Sequence, residues 1–263
     1  MSLLQNCKRI VIKVGSNVLT HGTGKLNIRK IETLAKVISD FYNQGKEMVL
    51  VSSGAISAGA AKMGVDRKAM STIEKQALAA IGQSELMKLY DRFFSDYGIK
   101  VAQLLLTKDI FTSPERKHHA ENTFHALMEM GALPIINEND AVSDDEVTQF
   151  GGNDILSAYV AGFCHADVLI NMTDVDGLFT DDPRQNPNAE LISRVDDIEQ
   201  IKTVAGGAGT EHGTGGMRAK ITAAEMCIQE GIPMFILNGE NPEILFRLEA
   251  GENIGTYFPA RRQ

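Results

Sequence analysis

The stretch Ile10-Val11-Ile12-Lys13-Val14-Gly15-Ser16-Asn17 decides how this chain folds. A short apolar run rich in β-branched residues reads as a strand buried on both faces. It stops on a glycine and small polar residues. Its carboxyl end therefore opens into a loop where a lysine and free backbone N–H groups can meet an anion.

The same pattern recurs along the chain. Asn27 to Gln44 places Ile28, Ile31, Leu34, Ile38 and Phe41 at helical spacing, and Gly45 stands where a helix ends. Met48 to Val51 reads as the next strand, and Ser52-Ser53-Gly54-Ala55 leads into another helix. Val101 to Leu106 is a strand, and a helix from about Ala120 ends at Gly131. Leu133-Pro134-Ile135-Ile136 is a strand whose proline sits near its start, where a missing N–H is tolerated. Ile155 to His165 is helical, Val168 to Met172 extended, and Met217 to Glu230 helical up to Gly231. Pro233 to Leu237 is the last clear strand, and Asn241-Pro242 opens a final helix. Apolar strands alternating with helices predict an α/β fold. Its mainly parallel sheet is covered on both sides, a three-layer αβα sandwich read as one domain over residues 1–263.

Composition narrows the function. Hydrophobic residues make up 43% of 263, which fits a chain with a sizeable core. No apolar run approaches the length of a membrane span, and the first residues carry no secretory pattern. The net charge of −8 argues against nucleic acid as a partner and means that any phosphate site must rely on local cations. Cys7, Cys164 and Cys227 are odd in number and widely spaced, so a disulfide framework or zinc site is not expected. A cytoplasmic protein with no membrane partner is the expectation.

A second anion loop, Gly213-Thr214-Gly215-Gly216-Met217-Arg218-Ala219-Lys220, lies directly before a helical pattern. Neither loop is a Walker A sequence or a G-x-G-x-x-G fingerprint. Phosphoryl chemistry outside the two commonest nucleotide folds is the reading that remains. In open α/β sheets, ligands bind beyond the carboxyl ends of the strands. Those ends carry Lys13, Gly15 and Ser16, then Ser52 to Ala55, then Asn137-Glu138-Asn139-Asp140, Gly152-Asn153-Asp154, and Thr173-Asp174. Two lysines, amides and carboxylates at one end suit a reaction whose catalysis is mostly positioning and charge neutralisation. Asp144-Asp145-Glu146 reads as a solvated loop rather than a metal cluster. His118 and His119 are adjacent on a helix, face different ways, and read as surface residues.

Taken together and in this order, the motifs resemble the amino acid kinase family over the whole chain. They are Val11 to Ser16, Val51 to Ile56, Pro134 to Val142, Gly152 to Ala158, Thr180-Asp181-Asp182-Pro183-Arg184 and Gly213 to Met217. The Asn-Glu-Asn-Asp stretch resembles the branch that phosphorylates the side-chain carboxylate of glutamate. The resemblance implies ATP and L-glutamate as substrates, Mg²⁺ as cofactor, and L-glutamyl 5-phosphate as product, the first step of proline synthesis. It implies that Lys13 and Lys220 act on the phosphates and that Asp154 orients both. It places glutamate against Ser53, Asp140 and Asn153, with Asn137 and the Gly54-Ala55 backbone nearby. It assigns ATP to Lys13, Gly15, Ser16, Thr173, Asp174 and the run Thr214, Gly215, Gly216, Met217, Arg218, Ala219 and Lys220. Metal ligands stay open, with Mg²⁺ on the ATP phosphates and Asp154 as the one candidate side chain. The resemblance further implies a homodimer or homotetramer, feedback by proline and coupling to a glutamyl phosphate reductase. Members often continue into a C-terminal domain of the RNA-modification type, and this sequence is expected to lack it. The chain departs from the family pattern at Gly152, at His119 and Glu121, and at Arg218-Ala219.

Overall fold

Strand β1 (Arg9–Val14) alternates Ile10, Ile12 and Val14 on one face with Val11 and Lys13 on the other, and every one of these is buried. The computed structural model describes residues 3–143, 152–181, 183, 185–205 and 215–260. Helix α1 (Leu3–Asn6) precedes β1, and α2 (Ser16–Leu19) and α3 (Ile28–Asn43) lead to β2 (Glu47–Ser52). Then come α4 (Ala55–Met63), a 3₁₀ turn at Arg67–Ala69, α5 (Thr72–Ser95) and β3 (Lys100–Leu106). Helices α6 (Lys108–Thr112) and α7 (Pro114–Glu129) lead to β4 (Ala132–Glu138), and α8 (Asn153–Phe163) to β5 (Val168–Thr173). A small hairpin of β6 (Leu178–Phe179) and β7 (Leu191–Ile192) is followed by α9 (Ile198–Ala205) and α10 (Gly215–Gln229). Strand β8 (Met234–Asn238), α11 (Ile244–Glu249) and β9 (Thr256–Phe258) complete the described chain.

The main sheet has seven strands in the order β3-β4-β2-β1-β5-β8-β9, all parallel except β9, which runs antiparallel to β8. The chain moves one way from β1 to β2 and the other way from β5 to β8. The crevice beside β1 is thus a topological switch point, where α/β sheets bind ligands. The register puts Lys13 opposite Val51 of β2 and Asn171 of β5.

Two apolar layers hold helices to the sheet. On one side α3, α5 and α11 pack Ile31, Leu34, Phe94 and Leu245 against Ile10, Ile12, Leu50 and Ile170. On the other side α7, α8 and α10 pack Phe124, Leu156 and Ala224 against Val11, Val49, Leu169 and Ile236. This is the αβα sandwich that the apolar runs imply.

Several elements differ from the sequence reading, which did not give α1, α2, α6, α9 or the β6–β7 hairpin. Helix α5 has 24 residues, and its Ser71–Glu74 capping box starts it, yet its weak amphipathic pattern hides it. Helix α7 begins at Pro114, because Ser113 caps it and proline fits the first helical position. Strand β9 is too short to be signalled by alternation. Helix α10 opens at Gly215 rather than Met217, which puts Lys220 in its second turn.

Helices α4 and α5 cross at bare backbone. A Cβ on Gly82 would lie 1.8 Å from the Ala55 carbonyl oxygen, and one on Gly59 would lie 1.9 Å from that of Leu78. Glycine at both positions lets α5 close against the start of α4, and that start lines the cleft described next.

Candidate active site

Lys13 is the last inward-facing residue on its side of β1, and it reaches across to α8. Its Nζ lies 2.5 Å from Asp154 Oδ1. Lys220 approaches from α10, with Nζ 3.2 Å from Asp154 Oδ2. Asn171 Nδ2 donates to Asp154 Oδ1 at 2.7 Å. All four residues are buried. Asp154 stands in the first turn of α8, where the helix dipole favours a carboxylate.

The electrostatics follow from that packing. Burial opposes the charged form of Asp154, but Lys13 and Lys220, with hydrogen bonds from Lys13 and Asn171, hold it below the ordinary carboxylate value. Burial pulls Lys13 below the ordinary lysine value, Asp154 offsets part of this, and the neighbouring Lys220 adds to the lowering. One carboxylate thus lets two ammonium groups share a dry site with a net charge of one.

A second group of polar side chains sits at the ends of β2 and β4. Asn153 Nδ2 donates to Ser53 Oγ at 2.8 Å and to Asn137 Oδ1 at 2.9 Å. Asn137 Nδ2 donates to Gln83 Oε1 at 2.9 Å, so α5 braces it from behind. Ser52 Oγ and the Tyr90 hydroxyl are 2.8 Å apart, which ties the end of β2 to the same helix. Asn153 Oδ1 is buried without a hydrogen-bond partner among the described residues. Gly54 takes a left-handed conformation with φ 104°, which turns the chain sharply into α4.

Ser53, Gly54, Asn137 and Asn153 line a cleft of about 220 Å³ with Ser16, Ala55, Ser57, Arg67, Glu138, Asp140 and Gly152. Burial alone raises the Asp140 carboxyl to about 6, and no ion-pair partner faces it among the described residues. Arg67 donates to Ser57 Oγ at 2.6 Å and is the only cation of this lining among the described residues. Its signal in the sequence was absent, since the 3₁₀ turn that carries it has no motif. Gln83, Tyr90 and Asn171 were missed for the same reason, as isolated polar residues inside apolar patterns.

The residues that the resemblance assigns to ATP are described in part. Gly15 N–H donates to the Met172 carbonyl at 3.1 Å, which holds the first anion loop against β5. Asn17 Nδ2 donates to Asp174 Oδ2 at 2.9 Å, and Thr173 Oγ1 to Asp174 Oδ1 at 3.1 Å. Burial resists ionisation of Asp174, but those hydrogen bonds, with Lys220 nearby, hold it below the ordinary value. Lys220 Nζ lies 3.4 Å from the Gly216 carbonyl. Met217 packs against the core and Arg218 is exposed. Thr214 and Asp144-Asp145-Glu146 lie outside the described residues.

Among the described residues, no group of three or more His, Cys, Asp or Glu side chains converges to hold a metal. Both oxygens of Asp154 are taken by lysines and Asn171. That donor set suits Mg²⁺ held on substrate phosphates, with its remaining positions filled by water, rather than in a protein cage. Among the described residues, no helix is long and apolar enough to cross a membrane. The three cysteines are free and buried, and burial pushes the Cys164 and Cys227 thiols up to about 12.

A buried lysine–carboxylate–lysine set at the switch point of a parallel sheet defines a class of phosphotransferase, and the chain belongs to the amino acid kinase family, whose model matches residues 8–238. It is similar over its length to glutamate 5-kinases. It is 48% identical to that of Clostridium perfringens, covering 98% of each chain. It is 45% identical to that of Listeria monocytogenes, covering 99% of this chain and 96% of the relative. Among solved structures, isopentenyl phosphate kinase of T. acidophilum matches with a TM-score of 0.65 at 17% identity, covering 95% of this chain and 99% of that one. UMP kinase of Bacillus anthracis matches with a TM-score of 0.64 at 19% identity, covering 97% of each. Those two likenesses concern the fold.

Proposed function

We propose that this chain transfers the γ-phosphoryl group of ATP to the side-chain carboxylate of L-glutamate, giving L-glutamyl 5-phosphate and ADP, the first step of proline synthesis. The observation that carries the reading is the Lys13–Asp154–Lys220 set beside a cleft bearing Asp140, which has no ion-pair partner among the described residues.

Asp140 receives the substrate ammonium. Ser53, Asn153 and the Gly54-Ala55 backbone hold its α-carboxylate, with Arg67 adding positive charge across the cleft. This leaves the side-chain carboxylate facing the lysines. An oxygen of that carboxylate attacks the γ-phosphorus, and the bond to the bridging oxygen of ADP breaks. Lys13 and Lys220 neutralise charge on the transferred group as it spreads, and Asp154 keeps both in place. Thr173, Asp174 and the start of α10 from Gly215 hold the nucleotide. Mg²⁺ carried on the ATP phosphates supplies further charge neutralisation.

The test is γ-glutamyl hydroxamate formation from L-glutamate, ATP, Mg²⁺ and hydroxylamine. The wild type is expected to form it, and Lys13→Ala to lose at least about 10²-fold in rate, the scale of one lost preorganised donor. A wild type that binds ATP but forms no hydroxamate overturns the reading. The chain is further proposed to work in the cytoplasm as a homodimer or homotetramer, to feel proline as a feedback inhibitor, and to hand its labile product to a reductase. A monomer by light scattering, or turnover at sub-saturating glutamate that ignores millimolar proline, would remove those additions.

A further inference from the structure

We propose that Asn171 is a positioning residue for the phosphoryl-transfer step: its amide fixes the Asp154 carboxylate in the one orientation that serves both lysines.

Asn171 lies in the middle of β5, the central strand beside β1, and is completely buried. Its strand neighbours Ile170 and Met172, and Leu169 beyond them, are apolar. The register pairs it with Lys13 on one side and Ile236 on the other, so all three side chains leave the same face of the sheet. On that face Asn171 meets Asp154, from α8, and donates to Oδ1 at 2.7 Å. Lys13 donates to the same oxygen, and Lys220 takes the other.

The amide has only one useful orientation. Turned over, it would set its own oxygen against a carboxylate oxygen already holding a lysine, and the donor to Asp154 would be lost. As it stands, Nδ2 is satisfied and Asn171 Oδ1 is buried with no partner among the described residues. An orphaned acceptor costs about 1–3 kcal/mol, and an apolar side chain of that size would avoid the cost in a strand of Leu, Ile and Met. Stability alone therefore argues against asparagine here. What asparagine adds is a fixed, uncharged donor. It pins the Oδ1 end of Asp154 without bringing a third cation, which would compete with the lysines for the carboxylate. When both ammonium groups turn toward phosphate oxygens, Asn171 is the one partner of Asp154 with no such competing attraction, so it holds the carboxylate while the lysines work.

The catalytic consequence rests on the kinase reading, and the experiment separates the two. Wild type, Asn171→Leu and Asn171→Asp are compared in the hydroxamate assay. Asn171→Leu removes the donor and the orphaned oxygen together. It is expected to keep or raise the urea midpoint, to leave KM for glutamate and ATP unchanged, and to lose about 10-fold in kcat, about 1.4 kcal/mol of barrier. Asn171→Asp keeps the shape but can donate only while a proton sits on the pair of adjacent carboxyls. Lys13 from β1, Asp154 from α8, Lys220 from α10 and Asp174 at the end of β5 are the charges that act on that proton. The kcat of N171D relative to wild type is expected to climb as pH falls, while that of N171L stays flat.

A third readout needs no substrate. In protein labelled with ¹⁵N-lysine, the Nζ resonances of Lys13 and Lys220 are expected to shift or broaden in N171L while exposed lysines keep theirs. Unmoved resonances, an N171L kcat within about twofold of wild type, or a loss that follows KM or unfolding would overturn the proposal. If N171L does not fold, a flat pH trend in N171D overturns it equally. A wild type with no hydroxamate activity strikes the kinase reading alone, and the lysine resonances still decide what Asn171 does to the site.

Discussion

Asp154→Asn keeps the shape of the side chain and removes one charge from the centre of the site. In the wild type, Lys13 and Lys220 contact opposite oxygens at 2.5 and 3.2 Å, and no side chain of the three is more than 10% exposed. Leaving one buried partner without its counter-ion costs about 3–5 kcal/mol. Lys13 limits that cost by giving up its proton, because burial and Lys220 already pull it below the ordinary lysine value. A neutral Lys13 holds phosphate weakly. The expected result in the hydroxamate assay is a fall in kcat of about 10²–10³-fold, about 2.7–4 kcal/mol, with KM for glutamate nearly unchanged. The pH dependence of stability has a definite sign. A lysine depressed in the folded state binds fewer protons there than when unfolded, so stability rises with pH from its folded value toward 10.5. The deficit of D154N in urea should therefore narrow as pH rises. In acid, wild type loses its advantage as pH falls below 3.8 through the depressed value of Asp154, and the two proteins converge. A D154N enzyme within about fivefold of wild type in kcat, or a deficit that does not change with pH, would refute the reasoning.

Three further outcomes follow from other parts of the cleft. Asp140 has a carboxyl near 6, so kcat/KM for glutamate should fall along a single-proton limb as pH drops through about 6. Asp140→Asn should erase that limb and raise KM for glutamate about 10- to 100-fold, the scale of one hydrogen bond to a charge. Because its folded value is raised, Asp140 costs stability at neutral pH, and D140N should show a higher urea midpoint; a lower one would count against the assignment. Gly82→Ala forces a methyl onto the Ala55 carbonyl, and a cost of about 1–3 kcal/mol should lower Tm by about 2–12 °C. An unchanged Tm would mean that α4 and α5 slide apart freely. Gly152 has φ 108°, a conformation that L side chains rarely adopt, so Gly152→Asp should lower the unfolding free energy measured in urea by about 1–3 kcal/mol; no loss would refute the strain.

Most of the fold was written in hydrophobic patterning. Runs such as Ile10 to Val14 and Val168 to Met172 are apolar on both faces, and only a sheet covered on both sides makes use of that. Helix α5 was not legible for the opposite reason. It packs α4 through Gly59 and Gly82 on one side and the sheet on another, so its buried positions form no single stripe. The site divides along the same line. Lys13, Asn137 and Thr173 stand at strand ends next to turn residues, and Lys220 follows a glycine-rich run, so local sequence marks them. Asn171, Gln83 and Tyr90 gain their roles only from register and helix packing. A lone polar residue in an apolar segment carries no sign of the partner that the fold will bring to it.

The buried charges also explain how an acidic chain serves a polyanionic nucleotide. With a net charge of −8, the surface field works against ATP, so attraction must come from a few cations where water cannot screen them. Burying two lysines alone would defeat this, since desolvation and mutual repulsion would strip their protons. Asp154 solves that conflict at the cost of cancelling half of their charge. What remains is one net positive charge in a low-dielectric pocket, split between two ammonium groups that approach from β1 and α10. The division matters for phosphoryl transfer, because the transferred group must be met on more than one side as it moves between oxygens. A single lysine of equal net charge would meet only one of them. In the proposed reaction the carboxylate therefore sets the spacing of the lysines, and any group that orients it, Asn171 first, would act through that spacing.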